Sequence, residues 1–148
     1  MTVFPDGKKE RLHGHNFQVE VALDLRDISF EKLVDFGIVK AAIQRQCETW
    51  HERLLLAGKN PYHRTLRHDA TELEFTLCGK RYVVPAEDVL ILDVDNLVVE
   101  TLAQAFSTAL LERLESQVEL SSVLALEVTV SESARQGGTA RLILAREG

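Results

Sequence analysis

Arg11-Leu12-His13-Gly14-His15-Asn16-Phe17 is the stretch on which the reading of this 148-residue chain turns. Its two histidines stand two residues apart where an alternating pattern begins, so on an extended backbone both imidazoles project from one face. Two nitrogens so placed can share one metal ion, and Gly14 between them lets the backbone lie close to it. Zinc suits imidazole donors, and a catalytic zinc usually takes three protein ligands and keeps one position open. The plainer alternative for the same residues is a pair of half-exposed histidines at the start of a strand.

Downstream, Phe17, Val19, Val21, Leu23 and Leu25 alternate with Asn16, Gln18, Glu20, Ala22 and Asp24, which predicts a half-buried strand. Asp35 stands where a helix N-cap belongs. After it, Ile38, Val39, Ala42, Ile43, Cys47, Trp50 and Leu54 recur at helical spacing and predict an amphipathic helix of roughly four turns. Residues 57–69 are polar and contain Asn60-Pro61, so they read as a loop. Thr71, Leu73, Phe75 and Leu77 alternate with Glu72, Glu74 and Thr76, and Gly79 offers a turn into residues 81–84, which predicts a hairpin. Asp95-Asn96 introduces a second helical pattern, carried by Leu102, Ala105, Phe106, Ala109, Leu110 and Leu114. Two final strands, 123–132 and 139–146, flank a turn region at Gly137-Gly138. Short connections between successive strands favour an antiparallel sheet with helices on one face, an α+β fold. Residues 1–148 read as a single domain with no repeat or linker.

The totals narrow the functional classes. Apolar residues make up 45% and charged residues 27%, which is an ordinary globular composition. A net charge of −6 argues against broad nucleic-acid binding, because phosphate contacts need clustered Lys and Arg. Residues 59–68 are the nearest thing to a basic stretch, and they read as a solvated loop. Cys47 and Cys78 form no Cys-x-x-Cys pair and are expected as reduced thiols. No apolar run approaches the roughly 20 residues a membrane helix needs, and no leader pattern opens the chain. A cytoplasmic location is therefore expected.

Four further residues invite attention. Leu124, Leu126, Val128 and Val130 form one face of the penultimate strand, and Glu132 continues that face at its end. Such a carboxylate ordinarily marks a strand emerging into solvent; in a partly dry pocket its two oxygens would grip an N–H pair on a ligand. Glu10 precedes His13 by three residues, close enough to reach a substrate held at a metal. His51 falls near the end of the first helix, beside Trp50 on the apolar face, where a surface or core histidine is the plainer reading. Glu100, in the first turn of the second helix, is explained adequately by the helix dipole.

Taken together, these residues resemble the 6-pyruvoyl-tetrahydropterin synthase family, which includes the 6-carboxytetrahydropterin synthases of queuosine biosynthesis. Leu12-His13-Gly14-His15-Asn16-Phe17 is similar to its zinc-binding signature. Val34-Asp35-Phe36 with Lys40, Trp50-His51, Asn96 through Glu100 and Val128 through Glu132 resemble its further motifs in order, with residues 57–89 as a longer insertion. The resemblance implies a tunnelling fold: a four-stranded antiparallel sheet with two helices on one side, and subunits closed into oligomeric β-barrels. A hexamer of two trimers with inter-subunit sites is the usual form. It further implies His13 and His15 as zinc ligands, His51 as a proton-transfer group, Glu132 as the anchor of a small-molecule pterin substrate, and Glu100 as an aid in the pocket.

The departures shape the functional expectation. Lys9 stands where the usual enzyme has a cysteine base, four residues before the first histidine. Glu10 instead gives Glu-x-x-His-Gly-His-Asn, which resembles the type III subgroup, whose product is 6-hydroxymethyl-dihydropterin. Trp50 replaces an aspartate that orients the histidine, and Val98 replaces a threonine of the pocket motif. The family's third zinc ligand is an upstream histidine, and none stands before His13, so the chain is expected to begin within or just after the first strand. His63 and His68 are the spare candidates. The expected activity is that of a zinc lyase acting on 7,8-dihydroneopterin triphosphate, with Glu10 as base, giving 6-hydroxymethyl-dihydropterin or 6-pyruvoyl-tetrahydropterin. Two alternatives are a catalytically impaired pterin- or purine-binding homologue and a 6-carboxytetrahydropterin synthase.

Overall fold

Alternation carries the first strand as expected. The computed structural model, which describes residues 1–144, places β1 at Gln18–Leu25, with Val19, Val21, Leu23 and Leu25 the more buried side. Helix α1 follows at Phe36–Trp50, and Asp35 caps it by accepting from the backbone N–H groups of Gly37 (2.8 Å) and Ile38 (3.3 Å). The helix stops short of the expected Leu54. His51 leaves the helical region, Glu52 takes a left-handed φ of 55°, and Leu54 enters strand β2 (Leu54–Ala57) instead.

The expected loop at 57–69 is corrected: it contains strand β3 (His63–His68), with Asn60-Pro61 in the turn before it. His-Arg-Thr-Leu-Arg-His reads as a loop because most of β3 is exposed, leaving no apolar alternation to see. The hairpin forms as β4 (Glu72–Leu77) and β5 (Lys80–Pro85), joined by Cys78 and Gly79 at φ 49° and 73°. Strand β6 (Val89–Leu92) pairs in parallel with β2, so the segment between them leaves and rejoins the fold at one place. Helix α2 (Val99–Glu115), β7 (Val123–Ser133) and β8 (Gln136–Ile143) complete the order. Gly137 and Gly138 lie within β8 rather than in the turn. Residues 145 and 146 of the expected last strand lie outside the described residues.

The single four-stranded sheet is also corrected. The described residues form three sheets: β1-β7-β8, β2-β6 and β3-β4-β5. The first ten residues fold back on themselves through Pro5-Asp6-Gly7, with Gly7 at φ 77° and a bridge between Val3 and Lys9. Asn96 then takes the Val3 backbone groups that a fourth strand would offer to the sheet. Among the described residues no barrel closes, and β1 and β8 each pair on one side only.

The main core lies between the β1-β7-β8 sheet and α2, where Leu102, Phe106, Leu110 and Leu114 meet Leu126, Val128 and Val130. Helix α1, packed against α2, adds Val39 and Ala42. A second core gathers Val3, Leu56, Leu73, Phe75, Leu77 and Val89. Among the described residues no helix is long and apolar enough to cross a membrane, and Cys47 and Cys78 are free thiols.

Gly138 sets the distance between β8 and the start of α2. A Cβ there would lie 2.4 Å from the Glu100 nitrogen and 2.6 Å from the Val99 carbonyl carbon, well inside van der Waals contact. A Cβ at Gly14 would meet nothing within 4 Å, so packing within the chain does not require that glycine. Gly138→Ala is expected to lower stability by about 1–3 kcal/mol through overpacking, whereas Gly14→Ala stays within about 0.5 kcal/mol; denaturant midpoints check both. A second expectation concerns acid. Asp69 accepts from the Thr71 hydroxyl and from the backbone N–H groups of Thr71 and Glu72, which holds its carboxyl down at about 2 against an ordinary 3.8. A depressed folded value contributes stability that is present above pH 4 and lost as pH falls from 3.8 towards 2. Hydrogen-exchange protection factors across β3 and β4 should therefore fall in that window, and Asp69→Asn should remove the dependence.

Candidate functional site

Strand register delivers the histidine motif to its partner. Gln18 pairs with Ser131, so the residues entering β1 run beside Glu132 at the end of β7. There the Glu132 Oε2 lies 3.1 Å from His15 Nδ1, and the Glu132 side chain is only 18% exposed. The Nδ1 of His13 lies 2.6 Å from the Arg11 carbonyl oxygen. A carbonyl can only accept, so His13 Nδ1 is assigned as an N–H donor, which leaves a lone pair on its Nε2 when the ring is neutral. That Nε2 faces the Nε2 of His15 at 2.7 Å. A single proton between the two nitrogens makes that contact a hydrogen bond. The pair is built to share a proton or to hold a metal ion.

The donor set fits the histidine part of a zinc site. Each ring has an acceptor beside its other nitrogen, the Arg11 carbonyl at His13 and the Glu132 carboxylate at His15, as metal-bound histidines usually do. Two nitrogens on one tetrahedral zinc sit roughly 3.3 Å apart, slightly wider than the 2.7 Å seen between these. Among the described residues no three His, Cys, Asp or Glu side chains gather around one point. His63 packs on the Phe75 ring at 5.6 Å and His68 ends β3; neither lines the cleft that holds the motif.

Glu10 extends the constellation. Its Oε2 lies 3.9 Å from His13 Nε2 and accepts the Thr2 N–H at 3.0 Å. That backbone donor, with the Thr2 hydroxyl and His13 as smaller causes, holds its carboxyl below the ordinary range despite some burial. Glu10 is therefore ionised at neutral pH, an acceptor ready for a proton.

These groups line a cleft of about 1150 Å³, whose wall also carries His51 and Glu100. The six candidates thus share one cavity, but only Glu10, His13, His15 and Glu132 form a chain of contacts. His51 caps the end of α1, its N–H donating to the Cys47 carbonyl, and Glu100 is exposed in the first turn of α2. Trp50 lies edge-on to Phe106 at 5.3 Å, so it joins the apolar core. Sequence reasoning missed Arg53 and Arg135, which line the cleft and join none of the ion pairs among the described residues. Arg135 sits three residues past Glu132 in the β7–β8 turn, and only that spacing hinted at it. It also missed Asn96 as an organiser of the N-terminal segment.

Comparison with known proteins gives concordant results. The family profile of 6-pyruvoyl tetrahydropterin synthase matches residues 2–141. A protein of Methanocaldococcus jannaschii, assigned as a 6-carboxy-5,6,7,8-tetrahydropterin synthase, is 31% identical over 134 residues, covering 90% of this chain and 81% of that one. The crystal structure of 6-pyruvoyl tetrahydropterin synthase from Plasmodium vivax shares the fold at a TM-score of 0.81, with 23% identity over 97% of this chain and 88% of that one. The enzyme from Plasmodium falciparum superposes with the same TM-score, 0.81, at 20% identity.

Proposed function

The chain belongs to the 6-pyruvoyl tetrahydropterin synthase family, and from that premise we propose that it is a zinc-dependent lyase acting on 7,8-dihydroneopterin triphosphate, giving 6-hydroxymethyl-dihydropterin or 6-pyruvoyl-tetrahydropterin. The observation that carries this reading is the facing Nε2 pair of His13 and His15 with the ionised Glu10 carboxylate beside it in the cleft. Zinc held by the two histidines would polarise the side-chain oxygens of the substrate. Glu10 would accept a proton from the carbon next to the polarised centre, and the electron pair left behind would expel triphosphate or break the side-chain carbon–carbon bond. Two Plasmodium vivax structures carry alanine or cysteine at a catalytic residue that is a glutamate in the native enzyme, which supports a glutamate in this role.

Charge balance favours the same assignment. The cleft wall holds Glu10, Glu52, Asp88, Glu100 and Glu132 against Arg53 and Arg135. A triphosphate entering that wall meets net repulsion unless a divalent cation offsets it. Arg53 and Arg135 supply the cationic rim for the triphosphate tail. Glu132 orients His15 with one oxygen and offers the other to the pterin's N–H edge. His51 and Glu100 complete the pocket as proton-transfer and substrate contacts. The free edges of β1 and β8 pair between copies, in a hexamer of two trimers with inter-subunit sites.

One observation favours a second reading, the 6-carboxytetrahydropterin synthase reaction: the 31% identity to the Methanocaldococcus jannaschii protein. Mass spectrometry of the product separates the two. Supplied with zinc, the purified protein is expected to consume 7,8-dihydroneopterin triphosphate. Glu10→Gln should lower kcat by about 10²- to 10⁴-fold with KM little changed. Substrate left intact by the wild-type protein would sink both readings.

A further inference from the structure

Glu10 does not hold its own position. Its Oε2 accepts the Thr2 N–H at 3.0 Å, and its N–H donates to the Thr2 carbonyl at 3.0 Å, so Thr2 grips it from both ends. What fixes Thr2 is the neighbouring Val3. The side-chain amide of Asn96 accepts the Val3 N–H through Oδ1 at 2.9 Å and donates through Nδ2 to the Val3 carbonyl at 2.8 Å. That two-way pairing copies what an adjacent β-strand would provide. The Thr2 hydroxyl adds a bond to the Leu97 carbonyl at 3.2 Å.

Asn96 is itself held from the insertion. Asn60, 7% exposed, donates to the Asp95 carbonyl at 2.7 Å and accepts the Tyr62 N–H at 3.0 Å. The Tyr62 hydroxyl donates to the Pro5 carbonyl at 2.9 Å, and the Val3 side chain is buried with Leu73, Phe75 and Leu77. Lys9 lies over the Tyr82 ring at 5.5 Å. The β3-β4-β5 sheet is thus the backing against which the first ten residues are pressed.

We propose that Asn96 is a positioning residue for Glu10, acting through the backbone of Val3 and Thr2, with the insertion sheet as its support. This rests on the reading of Glu10 as the proton acceptor. Without the asparagine, the segment loses both bonds at Val3, and the carboxylate is free to leave its place beside His13. Displacement of a reacting group by about 1 Å can cost up to 10²-fold in rate, while the pterin's own contacts at Glu132 are untouched.

Kinetics and hydrogen exchange on the 148-residue chain, supplied with zinc, test this. Asn96→Ala is expected to lower kcat on 7,8-dihydroneopterin triphosphate about 10- to 100-fold with KM within about twofold, and to have no further effect in a Glu10→Gln background. Exchange across residues 2–12 should accelerate while α2 and β7 stay protected. Asn96→Asp, which keeps the acceptor and loses the donor, should fall between; it also serves if the alanine variant does not fold. Unchanged exchange across residues 2–12, or full retention of kcat in a folded variant, would overturn the proposal. A wild-type protein inactive on the pterin would instead overturn the functional reading, and the exchange measurement would still decide whether Asn96 holds the segment.

Discussion

The antiparallel pairing of β1 with β7 is the constraint on which the rest of the structure depends. A register with Gln18 opposite Ser131 leaves His15 beside Glu132. A slip of one residue would turn Val19, Val21 and Leu23 to the solvent face and carry the histidines off with them. Burial of Leu126, Val128 and Val130 under α2 makes such a slip costly, and the same hydrophobic contacts that fold the sheet therefore aim the imidazoles. Fold stability and site geometry are one set of interactions here.

Around that frame the chain uses polar side chains in place of backbone pairing. Asn96 meets Val3 as a strand would, Asn60 ties the start of the insertion to Asp95, and Asp69 gathers three donors at the β3–β4 turn. Each lets a short, irregular segment satisfy its backbone without a full ladder, as buried polar groups require. The result is a cleft with one wall from the sheet and α2 and the other from the N-terminal segment pressed against the insertion.

Much of this was legible in the sequence, and the exceptions have physical causes. The alternation at Phe17 to Leu25 and the periodicity from Leu102 to Leu114 reflect burial on one side, and both elements appeared close to where they were expected. Strand β3 was hidden because exposure on both faces erases the pattern that betrays a strand. The end of α1 was missed because no glycine or proline marks it: Glu52 takes the left-handed conformation itself. The fourth strand was expected from resemblance, and Pro5-Asp6-Gly7 turned that segment back instead. Of the candidate site, His13, His15, Glu10 and Glu132 were readable from spacing and motif. Their mutual contacts, the role of Asn96 and the arginines on the wall depend on pairs far apart in the chain, which local pattern cannot reveal.

His13 and His15, with the Arg11 carbonyl and Glu132 beside their other nitrogens, are proposed as a metal pair. Competition titration of zinc against a chelator, on the wild-type protein and on Glu132→Gln, tests it most directly. Stoichiometric zinc is expected in the wild type, and an affinity lower by about 10- to 100-fold in the variant, because His15 loses its carboxylate partner. Absence of stoichiometric zinc, or an affinity indifferent to Glu132, would contradict it.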